Sequence, residues 1–105
     1  MSQDQECFEY SKRVGERLLD DPLYYTDENL GIEYRVDDGL EYRSVCITVT
    51  CGGPGCYIDT ATNRVETYWG ASEGFYGLPE EVVDRIDRFY EREYRDTMAC
   101  KGARL

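Results

Sequence analysis

The spacing of apolar residues changes twice along the chain, and each of the three blocks predicts its own element. Over about residues 5–19 the spacing is close to 3.6 residues, which predicts an amphipathic helix. Its apolar positions are Cys7, Phe8, Val14, Leu18 and Leu19. The run Asp20-Asp21-Pro22 predicts the end of this helix, because the residue before a proline is disfavoured in the helical conformation.

The middle block alternates between apolar and polar residues, which is the pattern of half-buried strands. Asp38-Gly39 predicts a two-residue hairpin turn, and further turns are expected at residues 52–55 and at Thr62-Asn63. About four strands result, connected as a β-meander. The positions expected to face the core are Ile32, Tyr34, Val36, Val45, Ile47, Val49, Cys51, Val65 and Trp69.

The last block returns to helical spacing and carries the signals of a helix start. Pro79 suits a first turn, and Glu80 and Glu81 favour the positive end of the helix dipole. The apolar stripe of this helix comprises Val82, Val83, Ile86, Phe89, Tyr90 and Tyr94. The chain therefore predicts one α+β domain over residues 1–105, with an antiparallel sheet and both terminal helices packed on one face of it.

The net charge of the chain restricts the possible classes of function more than any sequence motif does. Twenty-two acidic residues outnumber twelve basic ones, the formal net charge is −10, and there is no histidine. A net charge of about 2–8 keeps a small domain soluble, so the excess favours a binding role. Residues 1–38 hold 11 of the acids and 4 of the bases, which predicts that a partner attracted by charge meets this part of the chain.

The residue types that most enzymes need are missing or scattered. Without histidine the commonest general base and metal ligand are absent, and neither Lys12 nor Lys101 lies in a recognisable motif. The glycine-rich residues 52–55 precede a strand and include no lysine, so a hairpin turn is favoured over a phosphate-binding loop. The sequence predicts a protein that is not an enzyme and needs no cofactor or metal.

The five cysteines are expected to be reduced thiols, because their number is odd and no export signal accompanies them. A disulfide between Cys51 and Cys56 across the glycine-rich turn is the alternative. Four residues separate Cys46 from Cys51 and Cys51 from Cys56, a spacing that does not match structural zinc sites. No apolar run approaches the roughly 18 residues of a membrane span, and the N-terminal residues do not resemble a signal peptide. A cytoplasmic location is therefore expected.

Three pairs of neighbouring acidic residues are candidates for a contact surface: Asp20-Asp21, Asp27-Glu28 and Asp37-Asp38. Solvated turns are the simplest alternative, since aspartate is common in turns. The spacing of the pairs does not match a calcium-binding loop. The remaining interpretation is a surface on which carboxylates take the place of phosphates in the basic groove of a nucleic-acid-binding protein.

Tyr24 and Tyr25 lie between Asp20-Asp21 and Asp27-Glu28. Packing against one face of the domain is not expected to bury both rings. Exposed tyrosines are enriched at protein interfaces, which makes this segment the preferred contact surface. The predicted partner-binding residues are Asp20, Asp21, Tyr24, Tyr25, Asp27, Glu28, Asp37 and Asp38.

Three runs within residues 44–94 form a pattern of their own: residues 50–60, Val65-Glu66-Thr67-Tyr68-Trp69-Gly70, and residues 83–91. In these runs the chain resembles a group of small acidic accessory proteins that phages and mobile elements carry in bacteria. The resemblance implies an inhibitor of host nuclease defences, of the anti-CRISPR or anti-restriction kind, many of which mimic DNA. It defines a fold pattern and transfers no functional residue.

The first hypothesis is thus a non-enzymatic acidic inhibitor in the bacterial cytoplasm. Its partner would be a protein with a basic groove, such as a CRISPR effector or another host nuclease, and it would bind neither nucleic acid nor membrane directly. The alternative is a homo-oligomeric structural or regulatory protein, for example a homodimer formed by a sheet edge or a tyrosine-rich face. A small-ligand binder is a third class, for which no pocket is evident. Salt separates the first two, because only electrostatic binding weakens steeply as ionic strength rises.

Overall fold

The computed structural model describes residues 3–103 as two helices that flank a five-stranded sheet. The helices are α1 (Gln3–Asp20) and α2 (Glu80–Ala103), and a short 3-10 turn (Tyr24–Thr26) follows α1. The strands are β1 (Gly31–Val36), β2 (Tyr42–Thr50), β3 (Gly55–Asp59), β4 (Arg64–Trp69) and β5 (Ser72–Gly77). No helix among these residues is both long enough and apolar enough to cross a membrane.

The sheet is an antiparallel meander in which the strands lie side by side in chain order, so that β1 and β5 form its edges. The predicted α+β class is confirmed, with five strands where about four were expected. The additional strand is β5, which pairs Ser72 with Trp69 across a two-residue turn. Gly70 is the first central residue of this turn and has φ +62°, a conformation that costs glycine little. Two glycines within β5 hid the strand from a search for alternating apolar residues.

Both helices pack on the same face of the sheet, where they share one hydrophobic core. Aligned residues of five neighbouring strands form the middle of that face, in the order Ile32, Ile47, Ile58, Val65 and Tyr76. Val14 and Leu18 from α1 and Val83, Ile86 and Tyr90 from α2 belong to the same buried cluster. The predicted core positions Val45, Ile47 and Val65 are confirmed, and Val49 is half-buried.

Six predicted apolar-face residues are more exposed than expected: Phe8, Leu19, Ile32, Val36, Cys51 and Trp69. Ile32 and Val36 are 38% and 39% exposed because β1 is an edge strand, and Cys51 lies just after the last residue of β2. Trp69 is 42% exposed, because it ends β4 and lines an open groove with Tyr10 and Pro54. Phe8 and Leu19 on α1 are 36% and 45% exposed. Phe8 lies over the edge strand β5, with its ring centroid 6.5 Å from that of Tyr76. The helical spacing correctly identified the side of α1 that faces the sheet. The sheet, however, does not cover every apolar residue on that side.

Helix α1 approaches the sheet closely at Gly74 in β5. The Ser11 hydroxyl donates to the Gly74 carbonyl oxygen at 2.9 Å and lies 2.7 Å from the Thr67 hydroxyl. These three residues are buried, so the hydrogen bonds satisfy polar groups that would be costly to leave unpaired. A side chain on Gly74 would overlap the backbone of Cys7 and Phe8.

The β1–β2 connection differs from the predicted two-residue turn. Asp37 N–H donates to the Glu41 carbonyl at 3.0 Å, and Leu40 N–H donates to the Asp37 carbonyl at 2.9 Å. The loop therefore has three residues, with Asp38-Gly39 as the centre of a turn and Leu40 in the left-handed conformation at φ +62°. The two other predicted turns are confirmed, since residues 51–54 and 60–63 connect consecutive strands.

The cysteines are free thiols. Cys51 is exposed at the end of β2, whereas Cys56 is buried in β3, and no disulfide joins them. Burial raises the pKa of the Cys56 thiol to about 11, so it is protonated at neutral pH.

Candidate partner-binding surface

The last residue of α1 and the segment that follows it carry four exposed carboxylates, which we call the acidic surface: Asp20, Asp21, Asp27 and Glu28. The chain brings them together because residues 20–28 form one short connection around the 3-10 turn. Among the side chains that the structure describes, the ion pairs use Asp37, Asp59, Glu66 and Glu91 and none of these four. Their charge therefore faces solvent without a neighbouring cation bonded to it.

Asp21 also helps to end α1. Its Oδ1 accepts the backbone N–H of Leu23 at 3.2 Å, and its own carbonyl accepts the N–H of Tyr24 at 3.1 Å. These contacts start the turn that follows the helix, as aspartate side chains commonly do. Asp21 thus has a local structural role in addition to its place on the acidic surface.

The prediction that Tyr24 and Tyr25 are both exposed is wrong for Tyr25. Tyr25 is 9% exposed and belongs to the hydrophobic core, and this burial raises the pKa of its hydroxyl. The cause is the 3-10 turn, in which consecutive side chains point about 120° apart. One ring is therefore directed inward while its neighbour stays near the surface. Tyr25 is removed from the set of contact residues.

Tyr24 is half-buried, and its outer face is already occupied. The Arg17 guanidinium lies over the Tyr24 ring, 4.6 Å from its centroid, in a cation–π contact. Arg13 and Arg17 both line an open pocket of about 330 Å³, together with Tyr10, Tyr24 and Glu28. The amphipathic pattern of α1 gives no sign of the contact between Arg17 and Tyr24, because that contact forms only when the chain turns back after residue 22.

Asp37 and Asp38 are not part of the acidic surface. They follow the far end of β1, and that strand of six residues separates them from Glu28 by about 20 Å. Asp37 accepts the N–H groups of Gly39 and Glu41 at 2.9 and 3.0 Å and forms an ion pair with Arg43 at 2.7 Å. The prediction that Asp37 contacts a partner is replaced by a role in the hairpin, while Asp38 remains exposed.

The contacts of Asp37 make hairpin stability depend on pH. The Glu41 and Gly39 N–H groups, together with Arg43, lower the pKa of Asp37 below its ordinary value. A lowered folded-state pKa adds stability above the unfolded-state pKa of about 3.9 and loses it as the pH falls through the folded-state pKa. We therefore expect Asp37→Ala to lower the urea midpoint at pH 7, and this difference from wild type to shrink below about pH 4. Asp38→Ala is the matched control and should show neither effect; equal behaviour of the two variants would contradict this role.

An open pocket of about 440 Å³ lies next to the acidic surface, between the 3-10 turn, β1 and α2. It combines carboxylates, an amide and aromatic rings, contributed by Asp27, Asn29, Tyr34, Phe89, Tyr90 and Glu93. The ring centroids of Phe89 and Tyr34 lie 5.0 and 6.2 Å from that of Tyr90. Carboxylates next to aromatic faces suit a cationic group such as an arginine or lysine side chain.

Tyr90 is one of the residues that line this pocket. Its hydroxyl is buried and has no hydrogen-bond partner within the described part of the chain. Burial raises the Tyr90 pKa to about 12, with further contributions from Tyr34, Asp27 and Glu93. Sequence analysis missed the pocket because it joins residues more than sixty positions apart, and no local pattern connects them.

No protein-family model, curated protein or solved structure matches this chain. The resemblance of residues 44–94 to small acidic accessory proteins of phages therefore stays a hypothesis. Interpretation of the acidic surface rests on its own geometry and charge.

Proposed function

We propose that this protein is a non-enzymatic acidic inhibitor that binds the basic nucleic-acid-binding groove of a host defence protein, such as a CRISPR effector or another nuclease. The observation that carries the proposal is the acidic surface, four exposed carboxylates that have no ion-pair partner within the described part of the chain, on a protein of net charge −10. Grooves that bind duplex DNA present lysine and arginine to a dense row of phosphates. Clustered carboxylates compete for the same cations.

The inhibition is steric and electrostatic. Long-range attraction between the acidic surface and a basic groove accelerates encounter, and the bound domain then blocks the groove for nucleic acid. The pocket between Asp27 and Glu93 supports this proposal, because it offers a place for one arginine or lysine of the groove against the rings of Tyr34 and Phe89.

The test is displacement of a fluorescent DNA duplex from a panel of purified CRISPR effectors and restriction nucleases, followed by polarisation. Wild type should displace the duplex from at least one of them, and less effectively as salt rises. The quadruple variant Asp20→Lys, Asp21→Lys, Asp27→Lys, Glu28→Lys should lose this competition by about 100-fold or more, since it reverses the surface that steers association. The changes at Asp20, Asp27 and Glu28 should each alter folding stability by only about 0.5 kcal/mol, whereas Asp21→Lys also removes the hydrogen bond from the Leu23 N–H.

A second quadruple variant separates the acidic surface from net charge alone. Glu41→Lys, Glu73→Lys, Asp84→Lys and Asp96→Lys change four exposed acids elsewhere and give the same net charge. This control should compete within about tenfold of wild type. Equal loss in both quadruple variants would contradict the proposed surface, and failure of wild type to displace the duplex from any member of the panel would contradict the proposed function.

A further inference from the structure

Apolar side chains are exposed on the edge strand β1 and on the residues that flank it. The exposed fractions are 65% for Leu30, 38% for Ile32, 39% for Val36 and 58% for Leu40. Soluble proteins usually protect an edge strand with lysine, proline or a covering element, because its unpaired N–H and C=O groups accept another strand. Gly31–Val36 contains neither lysine nor proline. The other edge strand, β5, is instead packed under α1 through Gly74 and Tyr76.

We propose that β1 pairs antiparallel with β1 of a second copy of this chain, around a two-fold axis at Tyr34. In this register Ile32 lies opposite Val36 of the second copy, and Glu33 lies opposite Arg35 of the second copy. The two apolar pairs form on the helix-covered face of the sheet, and the two ion pairs form on the open face. Antiparallel pairing joins two five-stranded sheets into one of about ten strands, within the observed range for open sheets.

The charges on β1 select this register among the symmetric alternatives that keep the helices of both copies on one side. If the two-fold axis passed through Glu33, the Glu33 carboxylates of the two copies would lie opposite each other. If it passed through Arg35, the two Arg35 guanidinium groups would lie opposite each other. Like charges directly opposite each other destabilise a sheet, whereas opposite charges stabilise it. Arg35 already donates to Asp59 at 2.7 Å, but its guanidinium has five N–H donors and is 40% exposed, so it has capacity for a second carboxylate.

The expected effect of salt on dimer formation allows the dimer to be tested separately from the proposed inhibitor function. In the proposed register the loop that follows β1 of one copy, with the exposed Asp38, approaches the segment that precedes β1 of the other copy, with Asp27 and Glu28. Acidic residues therefore meet at both ends of the paired strands. We therefore expect added salt to strengthen the dimer by screening this repulsion. Binding of a basic groove by the acidic surface responds to salt in the opposite direction, so either proposal can fail without the other.

The first experiment is sedimentation equilibrium of the full chain as a function of protein and salt concentration. The interface is small, so we expect a dissociation constant of about 10–100 μM in physiological salt. Ile32→Lys should raise it at least about tenfold, because it places a charge in the apolar pair. Leu19→Lys changes a leucine that is equally exposed but lies on α1, and it should leave the constant unchanged. A monomer at all concentrations up to about 1 mM, or equal effects of the two variants, would overturn the proposal.

The second experiment tests the register by mixing two variants. Glu33→Arg alone creates two arginine pairs across the axis, and Arg35→Glu alone creates two glutamate pairs, so neither should form a homodimer. An equimolar mixture restores two opposite-charge pairs and should form a heterodimer about as tight as the wild-type dimer. Circular dichroism checks the fold of Arg35→Glu, which also loses the contact to Asp59. If Arg35→Glu is unfolded, Glu33→Arg alone decides, and a homodimer of undiminished strength would overturn the register.

Discussion

Gly74→Ala should lower the free energy of unfolding by about 3 kcal/mol or more, a large effect for the addition of one methyl group. The new Cβ would overlap the backbone nitrogen of Phe8 and the carbonyl carbon of Cys7, which are parts of a helix and do not rotate away. Relief requires α1 to move off the sheet, which would also break the buried hydrogen bonds between Ser11 and its two partners, Gly74 and Thr67.

Gly77→Ala is the matched control for this prediction. Gly77 lies in the same strand, and a Cβ there meets no atom within 4 Å. Because its φ is not in the left-handed region, alanine should be neutral or slightly stabilising through the unfolded state. Urea unfolding of the two variants measures the difference. Comparable stabilities would contradict the close packing of α1 on β5.

Local signals in the sequence predicted most of the elements. The 3.6-residue period and Pro22 placed α1 to within about two residues at each end, and Pro79 placed the start of α2, whose end was not predicted. The turn residues placed three of the four hairpin connections. The missed strand, β5, owes its place to pairing with β4 and to α1 packing over Gly74, neither of which leaves an alternating apolar pattern. Contacts between residues that are distant in the chain therefore determine where β5 forms.

The candidate site was predictable only as a region. Its charge is a property of composition, so the acidic segment at residues 20–28 is evident from the sequence. Which tyrosine faces inward depends on the 3-10 turn, and the role of Asp37 depends on two N–H groups of its own hairpin. The pocket under Glu93 joins α2 to β1, and such pairings between distant segments carry no local signature.

The arrangement of the sheet connects the fold to both proposals. Because α1 and α2 cover one face, the other face, the β1 edge and the acidic surface are the parts left for partners. The acidic surface attracts cations and suits a basic groove, whereas the β1 edge is apolar with one acid and one base, and suits a copy of itself. Two surfaces of different chemistry thus occur on adjacent parts of a small domain.

Ile47→Ala should lower the free energy of unfolding by about 2–5 kcal/mol, the usual cost of truncating a buried aliphatic side chain. Ile47 is 1% exposed and lies between Ile32 and Ile58 in the row of side chains across the sheet. Ile32→Ala is its control, since the same residue type in the adjacent position of that row is 38% exposed and should cost less than about 1 kcal/mol. Ile47→Val should fall between them, at about 0.5–1.5 kcal/mol. Urea unfolding at low protein concentration measures all three without a contribution from dimerisation, and equal losses at positions 32 and 47 would contradict the burial of β2 beneath the helices.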